Sequence, residues 1–431
     1  MALKIGFARV DITPDVSVPL ACLGNTLNRM SENILDRLQS TCLACSDDNG
    51  NTLLLYTSDL ICAVPKYLDQ ARTLIFEKYG IAPECVMFAQ THTHSATDFL
   101  QRDHESIIHS SGILIKKLVD VAGEALADRV SANLLSGEAY PNSLNFVRHY
   151  TRDPETKELT GHPYDPDNQL QIVMIKREDA KDIMVMNWQA HPCFTSGYDK
   201  HDVSADYIHS FREMVEGEYD CLFAFFLGAS GDINSRSRIK SEVIAPDRDS
   251  YVDCMRKYIQ QAFANLRPID GDKISILRRD VKLVIDHSDD HRIGDAKIVT
   301  EFWKKSYDRK ATDDMAKQYG INSPYHANAI IARSTLPDSQ VISVDAVCLG
   351  DLGIVFAPYE MFCQNGMYIK RNSPMHTTIV STCSNNGYSY LADDFAFTEQ
   401  CYEVDVRRFA RGTAEKLAET FVDMLEVMKR D

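Results

Sequence analysis

The 431-residue sequence contains no apolar run that approaches the roughly 20 residues a helix needs to cross a bilayer. Its amino terminus, MALKIGFARVDITPD, lacks the basic segment, the long apolar stretch and the small-residue cleavage site of a secretory signal peptide. We therefore expect a cytoplasmic protein without a stable membrane anchor.

Positive charge is scarce relative to negative charge. The chain has 46 Lys and Arg residues against 62 Asp and Glu residues, a formal net charge of -16. Proteins that bind nucleic acids neutralise phosphates with an excess of cationic side chains, so we expect no nucleic acid as a partner. With 44% hydrophobic and 25% charged residues, the composition is that of a soluble globular protein.

The sequence also lacks a pattern of disulfide-forming cysteines, because most of the twelve cysteines are scattered singly and many lie in apolar segments. We interpret them as buried free thiols in a reducing compartment. Cys42 and Cys45 form the one close pair. They lie in a strand-like segment without a second pair, and we interpret them as structural.

No internal repeat, low-complexity tract or linker divides the chain. Short apolar segments such as TLLLYTSDL and DIMVMNWQA alternate with predicted helices at 65–78, 111–130 and 205–217, and a last amphipathic helix is predicted at 403–431. This order predicts an α/β protein with a layered, mixed β-sheet flanked by helices and a site at the strand ends. We expect residues 1–431 to form a single catalytic domain.

The segment VMFAQTHTHSA runs from an apolar strand directly into His92 and His94. If the strand continued through both histidines, alternation would place their imidazoles on one face. Histidine is the commonest metal-binding side chain and titrates near neutral pH. The pair can supply two metal ligands, or one ligand beside one proton carrier. The alternative is a surface pair without chemistry.

Four further apolar segments end in polar residues. These are His191 after DIMVMNWQA, Asp232 and Asn234 after the small-residue turn GASG, Glu360 after LGIVFAPY at the start of a predicted helix, and Tyr390 after TTIVSTCSNNGYS. Backbone N–H groups of the GASG turn could also face an oxyanion.

Each of these residues has a structural interpretation when taken singly. Glu360, for example, could be an acid that stabilises the start of a helix. Taken together, two histidines and a carboxylate are the ligands of a catalytic zinc. Because the helical His-Glu-x-x-His motif is absent, such a site would be assembled from distant strand ends.

Six short motifs give the chain a resemblance to a known family. They are IGFARVDITPD, THTHS, NWQAHP, GASGDIN, APYE, and NNGYSYL followed by CYE. In order and approximate spacing they resemble the catalytic domain of the neutral ceramidases, from about Ile5 to Glu403. That family consists of zinc amidases that cleave the N-acyl bond of sphingolipids.

The resemblance implies zinc as the cofactor and a role for each residue of the site. The zinc ligands would be His92, His191, Glu360 and Tyr390. His94 would transfer protons, and Tyr402 would donate a hydrogen bond to the scissile carbonyl. Arg148 would contact a substrate oxygen. Asp232 would correspond to the aspartate of the family's Gly-Asp turn.

The chain departs from the family in this turn. Ceramidases carry a serine two residues after the Gly-Asp pair, where this chain has Asn234. An amide cannot act as a nucleophile, although it can orient water or polarise a carbonyl. We also expect no carboxy-terminal β-sandwich domain.

These observations lead to the hypothesis of a zinc-dependent hydrolase that cleaves a C–N amide bond of a small soluble N-acyl substrate by zinc-activated water. One alternative is a zinc lyase or isomerase that acts on a hydroxylated small molecule. The other is a non-catalytic metal-binding protein that kept the fold. The sequence carries no signal for an oligomeric state.

Overall fold

The computed structural model describes residues 3–21, 29–62, 64–197, 199–306, 308–387, 389–399 and 401–430. The strands are β1 Leu3–Asp11, β2 Asn33–Ile34, β3 Gln39–Ser46, β4 Thr52–Ser58, β5 Val86–Gln90, β6 Val130–Ala139, β7 Phe146–Val147, β8 Thr151–Arg152, β9 Leu159–Gly161, β10 Leu170–Arg177, β11 Ile183–Trp188, β12 Asp202–Val203, β13 Leu222–Leu227, β14 Ile233–Asn234, β15 Arg267–Pro268, β16 Ile274–Val284, β17 Ser339–Leu349, β18 Leu352–Phe356, β19 Glu360–Met361, β20 Thr377–Ser381 and β21 Tyr390–Leu391. The helices are α1 Pro65–Tyr79, α2 Glu105–Ala127, α3 Tyr207–Tyr219, α4 Arg248–Ala264, α5 Ile293–Ser306, α6 Arg309–Gln318, α7 Pro324–Arg333, α8 Cys363–Asn372, α9 Tyr402–Asp405 and α10 Thr413–Arg430.

The larger sheet has the strand order β13-β11-β10-β6-β1-β3-β4-β5, and β15 pairs with β6. The pairs at the two ends of this order, β13 with β11 and β4 with β5, are parallel. The pairs between them are antiparallel. The predicted mixed sheet flanked by helices is confirmed.

A second sheet with the order β16-β17-β18-β20 packs face to face on the first, which the sequence did not predict. Its first two pairs are antiparallel and its last pair is parallel. Phe226 on β13 and Phe356 on β18 meet across the two sheets, with ring centroids 6.4 Å apart. The apolar core therefore lies between the sheets.

The two faces of the larger sheet contact different layers. In β3, Cys42 and Ala44 pack against α1 and α2, whereas Leu43 and Cys45 point at the second sheet. Helices α3 and α4 cover the other half of the larger sheet, and α8 and α10 cover the outer face of the second sheet. Because both faces of the larger sheet are buried, the sequences of several of its strands are continuously apolar and do not alternate with polar residues.

The predicted continuous helix at 403–431 is wrong. Helix α9 ends at Asp405 and α10 begins only at Thr413. Between them the backbone pairs with the end of β16: the Ala410 amide donates to the Val284 carbonyl over 3.0 Å. These backbone hydrogen bonds replace the helical ones in the intervening segment.

Two further findings concern the helices and the cysteines. None of the helices in the described ranges combines the length and apolarity that a membrane crossing requires. The eleven cysteines that the structure describes are free thiols, and Cys42 and Cys45 are buried in the larger sheet.

The packing between the sheets predicts the effect of a core truncation. Phe356 is fully buried, so Phe356→Ala should lower the free energy of unfolding by about 3–5 kcal/mol, measured by urea denaturation. Val341 on β17 is 58% exposed, and Val341→Ala should change the same quantity by no more than about 0.5 kcal/mol. Equal effects of the two substitutions would contradict the assignment of the core.

Candidate metal centre

Three imidazoles meet beyond the ends of β5 and β11. One ring nitrogen each of His92, His94 and His191 lies within 4.8 Å of the other two, and all three side chains are buried. The ring centroids of His92 and His191 are 5.0 Å apart. The structure therefore brings together histidines that are about a hundred positions apart in the sequence.

The predicted alignment of His92 and His94 by strand alternation is wrong. Strand β5 ends at Gln90, and His92 has a φ of 64°, in the left-handed region that non-glycine residues rarely adopt. The His92 amide donates to the Leu60 carbonyl over 2.8 Å, which holds this conformation. The two imidazoles converge because the chain turns at a left-handed residue, and such strained residues cluster at functional sites.

The Nδ1 atoms of His92 and His191 both face backbone carbonyls. His92 Nδ1 lies 2.8 Å from the Ile61 oxygen, and His191 Nδ1 lies 3.0 Å from the Ile233 oxygen. Because a carbonyl oxygen only accepts, each Nδ1 carries a proton and donates it. The Nε2 atom of each ring can then bind a metal with its lone pair once it carries no proton.

Glu360 places one carboxylate oxygen between these two rings. Its Oε2 atom is 3.3 Å from His92 Nε2 and 3.1 Å from His191 Nε2. Lone pairs on three such atoms repel one another unless protons or a cation lie between them. Ligands at about 2.0–2.2 Å from a tetrahedral zinc are about 3.3–3.6 Å apart, which is close to these separations, so this donor set fits a zinc ion.

Glu360 does not lie at the start of a helix, as the sequence had indicated. It belongs to β19, which pairs in parallel with β21, and Tyr390 is its direct register partner. Helix α8 begins only at Cys363. The backbone register therefore brings the predicted carboxylate and phenol ligands side by side.

Gly231 allows the backbone of the GASG turn to approach β19 closely. Its amide donates to the Met361 carbonyl over 2.8 Å. A Cβ atom at Gly231 would lie 2.5 Å from the Glu360 carbonyl oxygen, which is closer than a side chain tolerates. The expectation that this amide faces an oxyanion is wrong, because the hydrogen bond to Met361 engages it.

Electrostatics at the site follow from burial and from the neighbouring charges. Burial raises the pKa of Glu360, but the adjacent His92 and His191 lower it well below its usual value. Burial lowers the pKa of His94, and the two neighbouring histidines lower it further. His94 is therefore neutral at pH 7, and its buried Nε2 atom has no hydrogen-bond partner among the residues that the structure describes.

Comparison with known proteins identifies the fold. No family model and no curated protein matches the sequence. Among solved structures, the neutral ceramidase from Pseudomonas aeruginosa superposes with a TM-score of 0.74 at 15% sequence identity, covering 100% of this chain and 75% of that chain. A ceramidase complexed with C2 gives a TM-score of 0.75 at 15% identity, with coverages of 100% and 76%. The chain has the fold of the neutral ceramidases.

Arg148 lies beside the candidate metal site formed by His92, His191 and Glu360. Its guanidinium stacks on the Tyr390 ring, 5.1 Å from the centroid, and its Nε atom donates to Glu403. Burial lowers the pKa of Arg148, but Glu403, Tyr390 and Glu360 raise it well above its usual value. Within the described ranges, its buried NH2 atom has no hydrogen-bond partner. The arginine is therefore charged and keeps one donor for a ligand.

The other three predicted residues lie at different depths of the ceramidase fold. The 46% exposed ring of Tyr402 lies 5.8 Å from that of Tyr390, at the rim of the site. The backbone of Asn234 forms a parallel bridge with His191. The carboxylate of Asp232 is engaged by other groups: it accepts the Cys363 amide over 2.7 Å at the start of α8 and the Tyr164 hydroxyl over 3.0 Å.

Sequence reasoning missed two residues that the ceramidase fold brings to the site. Glu403 is buried, pairs with Arg148, and accepts from His149 Nε2 over 3.0 Å. Burial raises the pKa of Glu403, but Arg148 and His149 lower it to about 2. Each missed residue directly follows a predicted one in the chain, Tyr402 or Arg148, and this adjacency was the available signal.

The close approach at Gly231 predicts a local steric effect. Gly231→Ala should lower the free energy of unfolding by about 1–3 kcal/mol, because the new methyl group overlaps the backbone of Glu360. The measurement is chemical denaturation with a chelator present, so that any bound metal makes no contribution.

Gly217 in α3 provides the matched control, since a Cβ there would meet no described atom within 4 Å. Gly217→Ala should leave stability unchanged or raise it by up to about 1 kcal/mol. If Gly231→Ala behaves like this control, the turn does not constrain the position of Glu360.

Proposed function

We propose that this protein is a zinc-dependent hydrolase that cleaves a C–N amide bond of a small N-acyl substrate. The observation that carries the proposal is the contact of Glu360 Oε2 with the Nε2 atoms of His92 and His191. The fold shared with two ceramidases supports an amide as the bond that is broken. The cytoplasmic location and the small soluble substrate stay predictions.

His92, His191, Glu360 and Tyr390 would hold the zinc. The first three supply two imidazole nitrogens and a carboxylate oxygen, a donor set of the kind found in catalytic zinc sites. Tyr390 is the register partner of Glu360 and is 9% exposed, which supports its place as the fourth ligand. When bound, the zinc supplies a Lewis acid that activates water and polarises a carbonyl.

His94 is the proton carrier in this proposal. Its backbone is fixed, because its carbonyl accepts from Arg29 and its amide donates to the Pro192 carbonyl over 3.3 Å. Its Nε2 atom would accept a proton from the attacking water and return it to the nitrogen of the leaving amine. The products are then a carboxylic acid and a free amine, and the water supplies the oxygen of the new C–O bond.

Arg148 and Tyr402 would bind the oxygen of the scissile carbonyl. Arg148 is held by Glu403 through Nε, so its NH2 group can donate to an oxygen that gains negative charge. Tyr402 is at the exposed rim and would donate from its hydroxyl. Asn234 stands where the ceramidases carry a serine, and its amide would orient the substrate or water.

The zinc content of variants tests the ligand assignment. His92→Ala and Glu360→Ala should each bind one zinc fewer per chain than the wild type, because each removes a donor from a site with few alternatives. The measurement is elemental analysis after dialysis against buffered zinc. His109→Ala serves as control, since His109 is a surface residue paired with Asp15, and it should keep the wild-type zinc content. Unchanged zinc in both ligand variants would contradict the assignment.

His94→Gln separates a proton carrier from a metal ligand. The variant should keep the wild-type zinc content but lose about 10²–10⁴ in kcat, the usual contribution of a general acid and base. The assay is amine release from a panel of short N-acylated amines and amino acids. Loss of zinc from this variant would instead make His94 a ligand.

Solvent labelled with oxygen-18 provides the control for the reaction class. Hydrolysis places one solvent oxygen in the acid that the wild type releases. A turnover product without the label would favour the lyase or isomerase alternative and would contradict the proposed reaction.

A further inference from the structure

A second group of side chains of the types that bind metals lies beside Arg148. It consists of His149, Cys401 and Glu403, whose ligand atoms all lie within 4.8 Å of one another. We call these three residues the His149 cluster. None of them is a ligand in the proposed zinc site, and the sequence gave none of them a role.

The spacing of the His149 cluster resembles that of the first site. His149 Nε2 is 3.0 Å from Glu403 Oε2, and His191 Nε2 is 3.1 Å from Glu360 Oε2. The side chains of His149 and Glu403 are only 10% and 3% exposed. Among the residues that the structure describes, the buried Nδ1 atom of His149 has no hydrogen-bond partner. This nitrogen is therefore a buried polar atom whose hydrogen-bonding capacity no described group satisfies.

Arg148 is compatible with a cation in the His149 cluster. Its Nε atom donates to Oε1 of Glu403, which leaves Oε2 facing His149. A metal-bound Cys401 is a thiolate, so Cys401 and Glu403 together would supply two negative charges against the one positive charge of Arg148. The cluster can therefore accept a divalent ion, which would displace any proton that joins His149 to Glu403.

We propose that His149, Cys401 and Glu403 bind a second divalent cation, and that this cation is zinc. One sulfur, one nitrogen and one oxygen donor are the ligand types that zinc accepts, whereas calcium and magnesium require oxygen donors. The thiolate also disfavours manganese. Three protein ligands leave one position for water or another small ligand.

The second cation would connect two segments that carry residues of the first site. His149 directly follows Arg148 after β7, whereas Cys401 and Glu403 flank Tyr402 at the start of α9. A metal bridge between these segments would fix Arg148 and Tyr402 relative to each other. The cation is thus assigned a positioning role and takes no part in the reaction itself.

Cobalt substitution tests the second site independently of the first. The proposed first site contains no sulfur ligand, although the Cys383 thiol lies 3.4 Å from His92 Nδ1. A sulfur-to-cobalt charge-transfer band in the near ultraviolet that is lost in Cys401→Ser but kept in His92→Ala therefore reports on Cys401. The wild-type chain, stripped of metal and titrated with cobalt, should show this band and bind two ions. Cys401→Ser should lose the band and one ion, and His149→Gln should weaken both.

Two control variants make the outcome decisive. Cys254→Ser removes a half-buried thiol on α4 and should keep both the band and two ions. His92→Ala should keep the band while it loses the other ion, so failure of the first site is distinguishable from failure of the second. The absence of the band in the folded wild type, or its persistence in Cys401→Ser, would overturn the proposal. Circular dichroism verifies that each variant is folded.

Discussion

The position of the Glu360 carboxylate between two imidazoles is the constraint on which the site depends. A carboxylate oxygen about 3 Å from two nitrogen lone pairs is unfavourable in a buried setting unless positive charge lies among them. The protein nevertheless fixes every partner. Backbone carbonyls hold both rings through Nδ1, and pairing of β19 with β21 holds the carboxylate. The backbone therefore prearranges a set of donors that a cation would neutralise.

The packing of two sheets explains how donors so distant in sequence share one place. His92 and His191 follow strands of the larger sheet, whereas Glu360 and Tyr390 follow β18 and β20 of the second sheet. Because the sheets pack face to face through a common apolar core, segments that leave the two sheets meet. The left-handed backbone at His92 costs of order 1–3 kcal/mol, and the surrounding core and hydrogen bonds offset this strain.

Much of the site was predictable because apolar strands ended in polar residues. His191, Glu360 and Tyr390 were found in this way, and the motif series gave Tyr390 its role as a ligand. The second sheet was not predictable, because strands buried on both faces carry no alternation that names their neighbours. The pairing of Arg148 and His149 with Glu403 spans about 250 positions, and a single sequence carries no signal for such a contact. The same limit applied to the left-handed conformation of His92, since histidine has only a weak preference for it.

Anomalous diffraction at the zinc absorption edge, from crystals grown with zinc, tests the central claim most directly. The account predicts an anomalous peak within bonding distance of His92 Nε2, His191 Nε2, Glu360 and the Tyr390 oxygen. Histidines and a carboxylate that stay in place with no peak among them, even at saturating zinc, would contradict the account. A peak held by other side chains would contradict it equally.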